Sequence, residues 1–266
     1  MSHAEKCQEQ ALFMNIPLWR KRGKMKLVII RHGDPDYERD SLTEKGWREA
    51  ALLAEWVSRL DVKEFYVSPL GRARDTASLT LERLGRKAAV CDWLREFPPR
   101  IKRPDVEGRS YVAWDWLPQD WTKEPAYYDL NSWADTEIMQ EARVKETYDQ
   151  VIKEFDLLLA KHGYVRNGEN YRVERANRDT LVFFCHFGLE CVLLSRLINV
   201  SPMILWHHFC AAPTSVTTLV TEERRQGIAL FRILGFGDIT HLNAGGEEPS
   251  FAARFCETYE SGERHD

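Results

Sequence analysis

The 266-residue chain has no long apolar run. No stretch approaches the roughly 18 to 20 consecutive apolar residues that cross a bilayer. A membrane-spanning helix is therefore not expected. The short run Ala11-Leu12-Phe13-Met14 lies ahead of its basic cluster, Arg20-Lys21-Arg22, the reverse order of a secretory leader. An excess of one charge is missing too: 37 Lys and Arg stand against 41 Asp and Glu, a formal net charge of -4 spread in mixed sign. Such a balance argues against a nucleic-acid-binding stripe and against a polybasic membrane anchor. The six cysteines (Cys7, Cys91, Cys185, Cys191, Cys210, Cys256) show no C-x-x-C or other ligand-like spacing, and several sit in apolar segments as small hydrophobes. A reduced, cytoplasmic setting without a metal site is the expectation, and neither repeats nor low-complexity tracts occur.

What is present is alternation. Leu27-Val28-Ile29-Ile30 reads as a buried strand, followed after a loop by a helix that Thr43 caps, with Trp47, Ala50, Ala51, Ala54, Val57 and Leu60 at three- and four-residue spacing. Phe65-Tyr66-Val67 is a second strand, and Ser68-Pro69 opens a helix with Leu70, Ala73, Ala77, Leu81 and Leu84 on one face. Ala88-Ala89-Val90-Cys91 reads as a third strand. A long amphipathic helix through Val144, Tyr148, Val151, Phe155 and Leu159 precedes a polar stretch, 163–179, with room for a short hairpin. The strand Thr180-Leu181-Val182-Phe183-Phe184-Cys185, another helix, and strands near 215–220 and 228–234 complete the pattern. The fold class this implies is α/β: a three-layer sandwich with a mainly parallel central sheet and helices on both faces.

Three segments fall outside that alternation. Residues 1–25 read as an N-terminal extension, with Met25 a candidate natural start, and 246–266 as a polar, loosely held tail; the catalytic domain would be 26–245. After the third strand, residues 97–140 dissolve into prolines, charges and tryptophans. So long an irregular stretch inside a compact domain is expected to be a lid that selects the substrate, with Trp114, Trp116 and Trp121 the candidates to line it; packing the insertion onto the body is the other use for them.

Two histidines close two buried strands: Arg31-His32-Gly33 after the first and His186 after Cys185. In open α/β sheets, ligands bind beyond the carboxyl ends of the parallel strands, so these residues can converge on one substrate. Arg72 falls in the first turn of the helix after Ser68-Pro69, where a guanidinium and free backbone amides would face the same anion. Arg31, His32, Arg72 and His186 would form a cationic cluster suited to phosphate. A neutral imidazole is a competent nucleophile, and neighbouring arginines disfavour its protonated form.

With these pieces, and with Leu42-Thr43-Glu44-Lys45-Gly46, Leu94-Arg95-Glu96, His186-Phe187-Gly188 and Thr240-His241-Leu242 in order across 26–242, the chain resembles the histidine phosphatase superfamily, in its phosphoglycerate-mutase-like branch. The resemblance implies that His32 forms a phosphohistidine, that Arg31, Arg72 and His186 hold the phosphoryl oxygens, and that Glu96 protonates the leaving oxygen, with Asp34 or an acid of the insertion as rivals. It implies no cofactor and no metal. His241 is expected to support the sheet edge.

The run Asp34-Pro35-Asp36-Tyr37-Glu38-Arg39 departs from the mutase pattern in being short and acidic, which disfavours a bisphosphorylated sugar acid. Arg39, Arg100, Lys102 and Arg103 could bring in a second anionic group or simply face solvent. The expected activity is hydrolysis of a small phosphorylated metabolite. The alternatives are a mutase-like phosphotransferase and a non-catalytic protein that binds a phosphorylated ligand or a partner. Neither substrate identity nor oligomeric state is legible.

Overall fold

The computed structural model describes residues 24–250 apart from 105 and 107. Residues 1–23 and 251–266, which hold most of the two terminal segments read from the sequence, lie outside it.

In chain order the strands are β1 (Lys26–Arg31), β2 (Pro35–Asp36), β3 (Ser41–Leu42), β4 (Glu64–Val67), β5 (Ala89–Val90), β6 (Arg100–Ile101), β7 (Tyr111–Val112), β8 (Tyr164–Asn167), β9 (Asn170–Val173), β10 (Thr180–Cys185), β11 (Val216–Arg225) and β12 (Ile228–Asp238). The helices are α1 (Glu44–Val57), α2 (Gly71–Leu84), α3 (Pro118–Trp121), α4 (Glu137–Glu141), α5 (Val144–Lys161), α6 (Phe187–Ile198), α7 (Pro202–His208) and α8 (Thr240–Gly245). Eight strands form one sheet in the order β5-β4-β10-β1-β11-β12-β9-β8. The pairings make β5, β4, β10 and β1 mutually parallel, and only β11 and β9 oppose the common direction. The polar stretch after α5 is the β8–β9 hairpin, which pairs with β12 and extends the sheet beyond the strands read from periodicity.

Alternation along the central strands divides the core in two. Leu27, Ile29, Leu181, Phe183 and Cys185 face α5, α6 and α7, meeting Phe155, Leu159, Leu189, Leu193 and Trp206. Val28, Ile30, Val182 and Phe184 face the other way, against Leu53 and Val57 of α1 and Ala77 of α2. Both faces being covered explains why β1 and β10 read as continuous apolar runs.

The segment 97–140 is less irregular than its composition indicates: it holds the β6–β7 ladder, α3 and α4. Phe97, Ile101, Trp116, Trp121, Tyr127, Trp133 and Met139 are buried in the same core as α5 and α6. Met25 is fully buried, and its carbonyl accepts from the Thr221 amide at 3.0 Å. The start of the C-terminal tail is pinned where looseness was expected. Glu247 pairs with Lys45 at 2.6 Å and Arg48 at 2.9 Å, and buried Ser250 donates to Asp34. Among the described residues no helix is long and apolar enough to cross a membrane, and Cys91, Cys185 and Cys191 are free thiols.

Candidate active site

The parallel register sets Arg31 opposite Cys185, so β1 and β10 end side by side and the next residue of each is a histidine. The His32 amide donates to the Cys185 carbonyl at 3.0 Å, and the His32 and His186 rings lie 5.0 Å apart between centroids. Strand β4 ends level with them. Its next residue, Ser68, donates its amide to the Phe184 carbonyl at 2.9 Å and delivers α2 with Arg72.

His32 is buried, and its Nδ1 lies 2.7 Å from the Gly33 carbonyl. A carbonyl can only accept, so Nδ1 carries the proton and Nε2 keeps its lone pair. Arg72 Nε approaches that Nε2 at 3.4 Å. Burial first, then the charges of Arg31 and Arg72, hold the His32 pKa well below the usual 6.5 in spite of the Gly33 contact. His186 is held well below 6.5 in the same way, by burial and then by His32, Arg72 and Arg31. Both rings are therefore neutral near neutral pH. Ser68 Oγ lies 2.8 Å from His186 Nε2 and already accepts from the Leu70 amide. If the Ser68 hydroxyl donates to Nε2, His186 Nδ1 bears the proton; Nδ1 is buried without a partner.

Arg31 is buried and donates from Nη1 to the Ala211 carbonyl at 2.6 Å, which ties it to the loop after α7. Glu96 reaches the site from the other side. Its Oε1 accepts from the amides of Phe97 at 2.9 Å and Leu189 at 3.0 Å. Burial outweighs these bonds and the charges of Arg31 and Arg72, so its pKa is raised above 4.5. Gly188 permits this approach: a Cβ there would meet Glu96 Oε1 at 2.8 Å and the Trp114 ring at 2.6 Å. Arg31, His32, Arg72, Glu96 and His186 are thus brought together by three strand ends and one loop.

Asp34 is not poised as an acid. Its Oδ2 accepts from Thr43 at 2.6 Å and its Oδ1 from Ser250, so it fastens the loop to α1 and to the chain beyond α8. The three insertion tryptophans separate. Trp114 lies over Gly188 beside Glu96, whereas Trp116 packs on Tyr127 and Trp121 stacks on His207 at 4.7 Å, both buried. Substrate-lining roles for Trp116 and Trp121 are therefore corrected to interior packing, because neither ring has a free face. Trp121→Ala should lower stability by about 3 to 5 kcal/mol, as for other buried large-to-small changes, and leave the ratio of kcat/KM between two substrates unchanged. Trp114→Ala should change that ratio. Thermal melts and paired kinetics check both, and a specificity change in the Trp121 variant would return it to the site.

Two of the four cations that could meet a second anion make contacts to backbone carbonyls, whereas Arg39 and Lys102 are exposed. Arg103 is buried, with Nη1 on the carbonyls of Trp114 at 2.5 Å and Asp115 at 2.6 Å, and Arg100 donates to the Ser110 carbonyl at 2.8 Å. His241 stands behind the site: its Nε2 lies 3.1 Å from Thr214 Oγ1, and the Thr214 amide donates to the His32 carbonyl at 3.1 Å.

Sequence reading passed over several supporting residues. Thr76 Oγ1 accepts from the Gly33 amide at 2.9 Å and donates to the Arg72 carbonyl at 2.7 Å, coupling the two loops; its place one turn after Arg72 was the available sign. Glu49 accepts from the Asp34 amide at 2.9 Å. Glu49 and Glu190 are buried, and burial pushes each up to about 7. Asp40 holds both Gly71 and Arg72, so the first amide of α2 is taken by a carboxylate of the chain itself and not left for substrate.

The family comparison matches this arrangement: the model of the histidine phosphatase superfamily (branch 1) covers residues 27–233. The chain belongs to the histidine phosphatase superfamily. A curated relative, the 2,3-bisphosphoglycerate-dependent phosphoglycerate mutase of Thermoplasma acidophilum, is 39% identical over 62 residues, 20% of this chain and 31% of the mutase. Among solved structures, a mycobacterial glucosyl-3-phosphoglycerate phosphatase complexed with inorganic phosphate aligns at a TM-score of 0.51 and 21% identity, over 81% of this chain and 98% of that one. A phosphoserine phosphatase from Entamoeba histolytica, in complex with 3-phosphoglyceric acid, aligns at 0.51 and 17% identity, over 82% and 99%. At these identities the structural likeness establishes the fold. Family membership supports a phosphatase-type enzyme, with a mutase also open. Among the described residues, no group of three or more His, Cys, Asp or Glu is placed to hold a metal ion.

Proposed function

We propose that the protein hydrolyses a small phosphomonoester through a phosphohistidine on His32. The observation that carries this is the Nδ1 contact to the Gly33 carbonyl, which leaves Nε2 unprotonated in the field of two arginines. In the first step Nε2 attacks phosphorus, the N–P bond forms as the ester P–O bond breaks, and Glu96 gives its proton to the departing oxygen. In the second, the Glu96 carboxylate takes a proton from water, the oxygen of that water attacks phosphorus, and His32 leaves with its lone pair restored. Arg31, Arg72 and His186 Nδ1–H meet the charge on the phosphoryl oxygens, the electrostatic and positioning work on which phosphoryl transfer depends.

Hydrolysis is preferred over mutase chemistry because the run Asp34-Pro35-Asp36-Tyr37-Glu38-Arg39 is short and acidic, which disfavours a substrate carrying a second phosphate. The likeness to a mutase over 62 residues keeps phosphotransfer as the competing reading. A panel of phosphorylated metabolites, assayed without added metal and with chelator, separates the cases. Released phosphate supports the proposal, an isomerised phosphate ester supports a mutase, and binding without turnover makes the protein a non-catalytic phospho-ligand binder. Loss of activity with chelator, restored by a divalent ion, would overturn the side-chain mechanism.

Glu96→Gln should lower kcat/KM for alkyl phosphates by about a hundredfold or more and for activated aryl phosphates far less, since kcat/KM reports formation of the phosphohistidine and only a basic leaving oxygen needs the proton there. The pH dependence follows from the two shifts. His32 must be neutral, and with its pKa below 6.5 the acidic limb of kcat/KM lies below that value. Glu96 must be protonated, and with its pKa above 4.5 activity on alkyl esters falls as pH rises through the raised value. That falling limb should vanish for aryl esters. Its persistence there, or a uniform loss of kcat/KM in Glu96→Gln, would move the acid elsewhere.

A further inference from the structure

Leu70, the N-cap of α2, makes no side-chain cap, and the carboxylate of Asp40 fills that place from the turn before β3. Asp40 Oδ2 accepts from the Gly71 amide at 2.7 Å, and Oδ1 accepts from Arg72 Nη1 at 2.6 Å. The residue pays for this position with a left-handed backbone, φ 48°, which non-glycine residues seldom adopt. Its carbonyl is equally close, since a Cβ on Gly71 would meet it at 2.0 Å. The side chain of one residue in strained backbone thus grips the first turn of the helix that carries the phosphate-side arginine, and its carbonyl packs against Gly71.

The grip sets an angle. A guanidinium is planar and its N–H groups diverge in fixed directions, so a partner on Nη1 dictates where the Nε edge points. Here that edge faces His32 Nε2 at 3.4 Å, while the Tyr37 ring covers the guanidinium from 5.4 Å. Burial opposes the charge on Asp40, but the Gly71 amide and Arg72 hold its carboxyl below the usual carboxylate range, so it is ionised wherever the enzyme works.

We propose that Asp40 is a positioning residue for phosphoryl transfer, holding Arg72 by Nη1 so that its Nε edge addresses the phosphoryl group at His32. This rests on the hydrolase reading above. Because the carboxylate is itself an anion close to the phosphate site, it opposes ground-state binding, and its benefit is confined to the transition state, where the donor angle matters.

The test is Asp40→Gly, which removes the side chain while glycine takes the left-handed turn freely. It is made alone and together with Arg72→Ala. On an aryl phosphate, kcat should fall about tenfold, less than the loss of the donor outright, with KM unchanged or lower. In the Arg72→Ala background no further loss should occur, because Asp40 acts through that arginine. Helix capping alone would instead give the same loss in both backgrounds, with the same drop in Tm, and would overturn the proposal. An unchanged kcat, or a raised KM with kcat intact, would do so as well. Asp40→Asn keeps an acceptor and tolerates the turn; it should recover part of kcat, and it takes over the cycle if the glycine variant does not fold. Heteronuclear NOE at the Arg72 Nε–H gives a reading independent of turnover. Arg72 should be ordered in the wild type and mobile in Asp40→Gly; order retained in the variant sinks the proposal. Wild-type protein that releases no phosphate while Arg72 still depends on Asp40 would fail the hydrolase reading alone.

Discussion

His32→Ala is expected to lower turnover by several powers of ten while leaving the fold intact. The change removes the one ring nitrogen placed to attack phosphorus, and deletion of a nucleophile commonly costs that much. The fold should survive because the imidazole follows β1 and its side-chain hydrogen bonds are local or long: one to the neighbouring Gly33 carbonyl at 2.7 Å, one from Arg72 at 3.4 Å. The backbone bonds that join β1 to β10 and β11 do not involve the ring. Rapid quench of wild-type enzyme with a labelled substrate should trap phosphate that is labile to acid and stable to alkali, and the alanine variant should trap none. A variant that turns over near the wild-type rate, or a phosphorylated species mapped to another residue, would end the phosphohistidine mechanism.

Arg72→Ala should reduce kcat/KM by roughly a hundredfold to a thousandfold, the range found for losing one preorganised donor at a developing charge. Two contacts make Arg72 more than a surface cation: Nε at 3.4 Å from His32 Nε2 and Nη1 at 2.6 Å from Asp40 Oδ1. Arg72→Lys should recover only part. An ammonium on a flexible stem can pair with Asp40 or reach the phosphoryl oxygens, but it lacks the rigid fork that does both. Steady-state kinetics on one aryl and one alkyl phosphate decide the matter, and full activity in the alanine variant would place Arg72 outside the site.

The residues of the cluster are legible because each is tied to an element boundary. His32 and His186 each follow a continuous apolar run, and Arg72 follows Ser68-Pro69 at a helix start, so the strand-end rule is enough to gather them. Asp40 and Glu49 carry no such tag. Each is one acidic residue among 41 Asp and Glu, and its role comes from a contact across the turn that precedes β3 or from a helix face. The insertion misled for a different reason: tryptophans at irregular spacing show no period, and burial against α5 to α7 is a property of the neighbours they meet.

What the sequence determined by itself was the layer architecture and the placing of histidines and arginines at the strand ends, because periodicity of two or of three to four residues, caps and punctuating prolines are local properties. Tertiary structure alone decided the rest. It set Arg31 opposite Cys185 and so brought two histidines 154 positions apart to a ring separation of 5.0 Å. It separated Trp114 from Trp116 and Trp121, bound Asp34 to Thr43 and Ser250, and gave Arg72 its orientation through Asp40. The physical reason is range. Patterning follows from each residue's own neighbours along the chain, whereas burial, hydrogen-bond partners and shifted pKa values depend on groups that only the closed sheet and its packed helices bring within a few ångströms.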